Sequence, residues 1–303
     1  MPEIALIPLG AEHPEDVLVL PDGDLLTGVA SGHLLRVGPD GSVRPVAETH
    51  GMPLGLELLP DGRILVCDSH RGILAVDLVT GSVEALIAAP PAFCNNPAVA
   101  PDGTIWFSTS SKRHGLSRST RDILENIPTG CLMRRDPDGG VDVALDGLAF
   151  ANGVAVTPDA QAVLVAETGA GRIQRLWIDG PKAGQNDLFV QDLPGLPDNL
   201  SVDDQGRIWV ALVARNGPDL ARLHAAPVMV RKTIAALPGF LRPRGKPFLR
   251  VAAFDAAGTV IHDFEGSAER FHTVTGVRVS EGQVYLGTIA GSSLARFTLP
   301  VDK

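Results

Sequence analysis

One spacing recurs along the chain and limits the folds that it can adopt. A residue at the start of an apolar run precedes a turn residue, usually glycine, by eight positions, and this spacing occurs six times. The six pairs are Glu15 and Gly23, Leu54 and Gly62, Asn95 and Gly103, Asn152 and Ala160, Asp198 and Gly206, and Val274 and Gly282. Short apolar runs and turn sequences such as PDG surround each pair, which is typical of antiparallel strands. The sequence therefore predicts six related all-β units.

The repeat length indicates how these units are arranged. Outside two insertions the units recur about every 40–50 residues, which is the length of a β-propeller blade of four strands. The sixth unit has only three strands, so we expect Ile4–Pro8 to supply the fourth. We predict a single all-β domain, residues 1–303, folded as a six-bladed β-propeller that its N-terminal strand closes. Such closure leaves no open sheet edge to aggregate.

Two segments interrupt the repeats and are predicted to form short helices over the central pocket. They span about residues 112–129 in blade three and 213–248 in blade five, the second broken by Pro227 and Pro238. The second insertion is strongly basic. It is either a solvated face that balances the acidic blades or a lid. A basic lid would favour anionic substrates or make peripheral contact with a membrane surface.

Composition excludes several classes of function. The net charge of −9 argues against nucleic acid as a partner, and a small-molecule substrate is expected instead. The three cysteines, Cys67, Cys94 and Cys131, lack metal-site spacing, so we expect free thiols in a reducing compartment and a cytoplasmic location. The N-terminal residues lack the features of a signal peptide. No apolar run reaches the roughly 18 residues of a transmembrane helix.

Four of the recurring positions carry side-chain oxygens. In a propeller the first strand of each blade lines the central channel, so Glu15, Asn95, Asn152 and Asp198 are expected to converge at one mouth of that channel. Two carboxylates and two amide oxygens are ligands that Ca²⁺ prefers, although another divalent cation remains an alternative. The absence of His and Cys from these positions argues against zinc.

Several segments resemble a known superfamily over essentially residues 14–299. They read FCNNPAVAPDGTIWFSTSS followed by RDILENIPTG, FANGVAVTPDAQAVLVAETGAGRIQRLWIDG, LPGLPDNLSVDDQGRIWVALV and VSEGQVYLGT. In combination they resemble the calcium-dependent six-bladed propellers of regucalcin and gluconolactonase, paraoxonase and diisopropylfluorophosphatase. The resemblance is strongest to the strictosidine-synthase-like branch, which includes the adipocyte plasma-membrane-associated proteins.

The resemblance implies roles for individual residues. The positions that match metal ligands are Glu15, Asn95, Asn152 and Asp198, and Asn199 matches an additional ligand of paraoxonase-like members. Asn96 takes the place of an aspartate that lies beside the substrate in many lactonases, and its amide cannot act as a base. Thr275 aligns with the glutamate that strictosidine synthase uses, so alkaloid-type condensation is not expected. Leu54 stands at the blade-two position, so no paraoxonase-like histidine is evident there, although His50 lies nearby in sequence.

The leading hypothesis is metal-dependent hydrolysis of a lactone or related ester. Asp198 is a candidate base or nucleophile, and Asp198, Asn96 and His272 are the residues that we assign to the catalytic site. His70 and His114 are alternative bases beside strand ends. Glu167 is expected either to support the site or to pair strands, without acting in catalysis. Competing hypotheses are a phosphotriesterase on the same metal site, a non-catalytic binding module with a structural cation and, more distantly, an enzyme that forms C–N bonds.

Overall fold

The computed structural model describes residues 1–88, 93–239, 241 and 245–300. Six antiparallel sheets of four strands each succeed one another along the chain. They form a ring of six blades, and the prediction of an all-β six-bladed propeller is confirmed.

The strands follow the predicted units. The first blade consists of β2 (Leu18–Val19), β3 (Leu25–Gly28), β4 (His33–Val37) and β5 (Val43–Glu48). The second consists of β6 (Pro53–Leu58), β7 (Ile64–Asp68), β8 (Gly72–Val76) and β9 (Val83–Ala88). The third consists of β10 (Cys94–Val99), β11 (Ile105–Thr109), β12 (Gly130–Arg135) and β13 (Val141–Leu148).

The second half of the chain repeats this arrangement. The fourth blade consists of β14 (Ala151–Val156), β15 (Ala162–Glu167), β16 (Arg172–Trp177) and β17 (Asn186–Val190). The fifth consists of β18 (Gly195–Val202), β19 (Ile208–Arg215), β20 (Arg250–Phe254) and β21 (Val260–Glu265). The sixth consists of β22 (Val274–Ser280), β23 (Gln283–Thr288), β24 (Ser293–Thr298) and β1 (Ala5–Pro8).

Two features close the ring. Strand β1 pairs with β24 from Ala5 opposite Arg296 to Pro8 opposite Ser293, which confirms the predicted closing strand. An apolar cluster fills each of the six blade interfaces, including the interface where Leu294 of blade six packs with Val17 of blade one. Burial of these apolar side chains between sheets is what holds neighbouring blades together.

Helices occupy both predicted insertions. Between β11 and β12 a short 3₁₀ turn (Leu116–Arg118) leads into α1 (Ser119–Glu125). Between β19 and β20 lie α2 (Pro218–Ala225) and α3 (Val228–Ala235), separated at Pro227 as predicted. Arg242 and Arg244 of the second insertion lie outside the described residues. Among the described residues, no helix is long and apolar enough to cross a membrane.

A β-bulge recurs near the start of the first strand in blades two to six. Two residues are unpaired at each bulge: Leu54–Gly55, Asn95–Asn96, Asn152–Gly153, Asp198–Asn199 and Thr275–Gly276. The predicted position in blade six, Val274, is therefore wrong by one residue, and Thr275 corresponds to the other blades. The turn there contains only Glu281 and Gly282, both with positive φ, so the eight-residue spacing shortens by one.

Candidate metal centre

The bulges place six side chains at corresponding positions near one end of the ring. These are Leu54, Asn95, Asn152, Asp198 and Thr275, with Glu15 in the equivalent place just before β2. The four predicted oxygen donors are all buried, none being more than 6% exposed. Asn199, the second residue of the blade-five bulge, is buried beside them. We call Glu15, Asn95, Asn152, Asp198 and Asn199 the oxygen cluster.

Hydroxyl groups fix how the asparagine amides of blades three and four are turned. The Nδ2 of Asn95 donates to Ser110 Oγ at 3.0 Å, and the Nδ2 of Asn152 donates to Thr168 Oγ1 at 3.1 Å. Thr168 in turn donates its only hydroxyl proton to the carbonyl oxygen of Pro197 at 2.7 Å, so it must accept from Asn152. These contacts leave the Oδ1 atom of each amide as a free acceptor.

Three amide oxygens of the oxygen cluster are buried without a donor. Within the described residues, the Oδ1 atoms of Asn95, Asn152 and Asn199 have no hydrogen-bond partner. Leaving a buried acceptor unsatisfied costs about 1–3 kcal/mol, so three such atoms in one place require an explanation. A cation coordinated by these oxygens would remove that penalty.

The two carboxylates of the oxygen cluster also require a positive charge. Burial raises the pKa of Asp198 to about 8, and an Asn152 hydrogen bond offsets only part of this. Burial first, and then the negative charges of Asp198 and Asp16, raise the pKa of Glu15 well above its usual range. The Nδ2 of Asn199 lies 3.3 and 3.4 Å from the two carboxylate oxygens of Glu15. The protein therefore holds two carboxyl groups in an environment that disfavours their ionisation without a cation.

The donor set indicates which cation fits. It offers two carboxylates and three amides, all of them oxygen ligands. No group of three or more His, Cys, Asp or Glu side chains that could hold a metal is present in the described part of the chain. A hard cation with oxygen ligands, such as Ca²⁺, fits these residues, whereas zinc does not.

The residue that follows each of the six corresponding positions alternates between a polar residue and glycine around the ring. Asp16, Asn96 and Asn199 occupy this position in blades one, three and five, and Gly55, Gly153 and Gly276 occupy it in blades two, four and six. The glycines are needed for close approach. A Cβ on Gly55 would lie 2.5 Å from Asn96 Nδ2, and one on Gly276 would lie 2.7 Å from Asp16 Oδ1.

Asn96 joins neighbouring blades. Its Oδ1 accepts a hydrogen bond from the backbone N–H of Val154 in blade four at 2.9 Å, and its backbone N–H donates to Ser108 Oγ at 3.1 Å. The side chain is completely buried. The structure therefore uses the oxygen of Asn96 between blades, and a catalytic role for this residue stays a prediction.

Asp16 and Arg278 form a further polar group that the sequence analysis missed. Asp16 Oδ2 accepts from the backbone N–H of Leu56 at 3.0 Å. Arg278, which is 14% exposed, extends from blade six to donate to Glu57 Oε2 at 3.0 Å and to the carbonyl oxygen of Leu56 at 2.8 Å. Burial raises the pKa of Asp16, and the charge of Arg278 opposes this shift. The sequence did contain a signal for Asp16, because Asp16 follows Glu15 just as Asn96 follows Asn95.

Comparison with protein families identifies the chain. A family model described as the SMP-30/gluconolactonase/LRE-like region matches residues 20–232, which is more than half of the chain. The chain belongs to this family. A second model, the N-terminal region of strictosidine synthase-like proteins, matches residues 1–37. Both matches agree with the resemblance drawn from the sequence segments.

Curated relatives place this family member in the predicted branch. The adipocyte plasma membrane-associated protein of Salmo salar is 31% identical over 94% of this chain and 77% of its own length. The strictosidine synthase-like 6 protein of Arabidopsis thaliana is also 31% identical, over 94% of this chain and 79% of its own length. These matches confirm the strictosidine-synthase-like branch.

Solved structures share the fold of this family member. A gluconolactonase from Xanthomonas campestris superposes with a TM-score of 0.72 at 18% identity, covering 98% of this chain and 89% of its own. The calcium-binding protein regucalcin from Agrobacterium tumefaciens gives a TM-score of 0.67 at 15% identity, covering 96% and 91%. At these identities the likeness establishes the propeller fold alone.

The candidate histidines of this family member lie outside the oxygen cluster. His272 Nδ1 lies 2.8 Å from Thr273 Oγ1, and its carbonyl oxygen accepts from Thr288 Oγ1 at 2.6 Å. The backbone N–H of Thr288 donates to Pro14, so His272 lies at the rim near the Glu15 segment. His70 is exposed in the β7–β8 turn. Among the described residues, no hydrogen bond joins either histidine to the oxygen cluster.

Two buried acidic side chains outside the oxygen cluster have structural partners. Glu125 is fully buried and lies 3.4 Å from His114 Nε2, and it pairs with Arg113 and Arg121 at 2.7 Å each. Glu167 accepts from the backbone N–H of Ala149 at 2.8 Å and from side chains of β16. His114 is therefore held within the first insertion, and Glu167 anchors the start of blade four.

Both insertions leave the blades at the end where the oxygen cluster lies. Thr109, at the end of β11, pairs with Cys94, which precedes the blade-three donor. Leu212 in β19 pairs with Pro197, which precedes the blade-five donor. We call the helices α1, α2 and α3 the lid. Its position supports the predicted cover over the mouth of the channel.

The lid packs against itself and against the rim. His224 Nε2 on α2 donates to the carbonyl oxygen of Ile123 on α1 at 2.9 Å. Arg231 Nη1 on α3 donates to the carbonyl oxygen of Asn126 at 2.9 Å. Leu116 and Ile123 also pack on an apolar cluster of Leu54, Phe93 and Phe150 at the starts of blades two to four. The rim beside the oxygen cluster is therefore apolar on one side.

Proposed function

We propose that the protein is a calcium-dependent hydrolase of a lactone or related ester. The observation that carries this proposal is the set of three buried amide oxygens without donors beside two carboxyl groups whose pKa values are raised. Glu15, Asn95, Asn152, Asp198 and Asn199 would hold the cation. When bound, Ca²⁺ would supply Lewis-acid polarisation of the substrate carbonyl and stabilisation of the negative charge that develops on its oxygen.

Asp198 has two roles open to it in this reaction. As a base, it takes a proton from the water that adds to the carbonyl carbon, and returns that proton to the ring oxygen as the C–O bond breaks, giving a hydroxy acid. As a nucleophile, it attacks the carbonyl carbon itself and the ring C–O bond breaks, so the ring oxygen leaves as a hydroxyl group after taking a proton from solvent; water then hydrolyses the resulting anhydride to the hydroxy acid and the free Asp198 carboxylate. A single turnover in H₂¹⁸O separates the two, because only the second path can place the label in the Asp198 carboxyl group.

The decisive experiment measures initial rates on a panel of five- and six-membered lactones. Chelator-stripped protein is assayed with and without added calcium, together with Asp198→Asn and, as a matched control, Asp204→Asn, an exposed carboxylate of the same blade. We expect calcium to restore turnover, Asp198→Asn to lower it at least about 100-fold, and Asp204→Asn to leave it unchanged. Calcium-independent turnover, or equal effects of the two variants, would refute the proposal.

One observation supports a non-catalytic alternative. The position beside Asn95 holds Asn96 instead of a carboxylate, and its oxygen is committed to Val154. A binding module with a structural cation would show a calcium-dependent rise in melting temperature with no turnover of any ester. A phosphotriesterase using the same cluster would hydrolyse phosphotriesters far faster than lactones, so both substrate classes belong in the panel.

We extend the proposal to substrate charge and location. Substrates that carry a negative charge are expected to be preferred, since the insertion spanning residues 213–248 has seven Arg or Lys residues against one Asp. A reducing, cytoplasmic location is supported by Cys67, Cys94 and Cys131, which are all free and buried. Fractionation of the native source, with detection of the protein in each fraction, tests the location directly.

A further inference from the structure

The junction between α2 and α3 exposes an unusual concentration of apolar side chains. Val228 is 40% exposed, Met229 72% and Val230 45%, and Leu241 farther along is 57% exposed. Among the described residues, eleven large apolar side chains are exposed, and four of them lie in this one stretch of 14 residues. We call residues 225–230 the lid tip.

The lid tip is exposed to solvent. Helix α3 contacts the first insertion farther along, where Ala235 is fully buried and Arg231 donates to the carbonyl oxygen of Asn126. At the lid tip, Ala225 and Pro227 are exposed as well, so the apolar surface is continuous across the junction. A projecting apolar tip of this kind is uncommon on a surface that contacts only water.

The insertion that carries the lid tip is basic in sequence although the protein is acidic. Residues 213–248 carry seven Arg or Lys residues and a single acidic residue, Asp219, whereas the whole chain has a net charge of −9. Arg222 on α2 is about four-fifths exposed, and Lys246 is exposed at the other end of the insertion. A positive segment on a negative protein would orient the molecule toward an anionic partner.

We propose that the lid tip docks the protein on an anionic lipid surface. Met229 and its apolar neighbours would enter the headgroup region, and exposed cations of the same insertion, such as Arg222 and Lys246, would contact lipid phosphates and carboxylates. Exposed apolar side chains within a basic segment are a combination that favours the membrane–water interface. Docking by the lid turns the mouth of the channel toward the bilayer. This proposal is independent of the reaction that the oxygen cluster supports.

The test uses vesicles of phosphatidylcholine alone and of phosphatidylcholine with 30% phosphatidylserine, mixed with the full chain and sedimented. We expect binding to the anionic vesicles at least about tenfold tighter than to neutral vesicles, with a marked decrease at high salt. Met229→Asp should weaken binding about tenfold or more, because it places a carboxylate where an apolar side chain would be buried in the lipid. Lys246→Glu should weaken it severalfold.

Val79→Asp is the matched control, since Val79 is 96% exposed in the turn between β8 and β9, away from the lid. Binding of this variant should equal that of the unmodified protein, and thermal unfolding should show that all variants are folded. Equal binding to neutral and anionic vesicles would overturn the proposal, as would equal losses in Met229→Asp and Val79→Asp. A concentration-dependent dimer that Met229→Asp abolishes would assign the lid tip to a second copy of the chain instead.

Discussion

The stability of the calcium-free protein should fall as the pH rises from 5 to 7. Burial raises the pKa of Asp198 to about 8, whereas its usual value is 3.8. Between these two values the native state keeps a proton that the unfolded chain has lost, so the unfolded state gains relative to the native state with rising pH. One such group changes the free energy of unfolding by about 1.4 kcal/mol per pH unit. From pH 5 to 7 the expected loss from Asp198 is therefore on the order of 3 kcal/mol, and the raised pKa of Glu15 acts in the same direction.

Equilibrium urea unfolding in the presence of a chelator, followed by fluorescence of the buried Trp209, measures this loss. Asp198→Asn isolates the contribution of the carboxyl group. Comparing this variant with the unmodified protein also cancels the contribution of His224, which both proteins contain. Burial lowers the pKa of His224, so this residue makes the free energy of unfolding rise with pH below 6.5. The free energy of unfolding of Asp198→Asn, relative to that of the unmodified protein, should therefore rise by about 1.4 kcal/mol per pH unit. Saturating calcium should abolish the trend. Parallel curves for the chelated proteins from pH 5 to 7 would refute the reasoning.

Three further substitutions test how the site is held together. Thr168→Val removes the acceptor that orients Asn152, and should weaken calcium binding about 10–100-fold by isothermal titration; an unchanged Kd would contradict the assigned amide orientation. Asn96→Leu leaves a buried N–H of blade four without an acceptor, and should lower the free energy of unfolding by about 1–3 kcal/mol in urea titrations, so a neutral result would exclude the joining role. Arg278→Met removes the positive charge that offsets the burial of Asp16, together with the ion pair to Glu57, and should destabilise the protein by about 3–5 kcal/mol, with partial recovery when Asp16→Asn is added; no recovery would show that the two do not interact.

The sequence predicted the fold and the placement of Glu15, Asn95, Asn152 and Asp198 because both depend on local periodicity, whereas Asn199 was assigned from the family resemblance. Turns and alternating apolar runs define each blade, so residues eight positions before a turn fall at the same place on successive first strands. The prediction failed by one residue at Val274, where a shorter turn shifts the strand. Periodicity cannot report such a shift unless the type of turn is recognised. The dipeptide Glu281–Gly282 was the sign of a two-residue turn at this position.

Interactions between distant residues were beyond sequence reasoning. Asn95 is oriented by Ser110 and Asn152 by Thr168, and each hydroxyl follows the end of its blade's second strand. A rule that pairs the start of the first strand with the residue after the second would have found them. Arg278 could not be found in this way, because its contacts with Leu56 and Glu57 join blades six and two, which lie on either side of blade one and are far apart in sequence.

The alternation of polar residues and glycine at the bulges gives the sixfold ring an approximate threefold symmetry. Asp16 approaches Gly276 on one side and accepts from Leu56 on the other, and Asn96 likewise approaches Gly55 and accepts from Val154. Blades one and three thus each contact both of their even-numbered neighbours, whereas Asn199 of blade five turns its amide Nδ2 toward Glu15. A ring of five or seven such blades would set two polar residues or two glycines side by side. Gain or loss of a single blade would therefore break the alternation at one point in the ring.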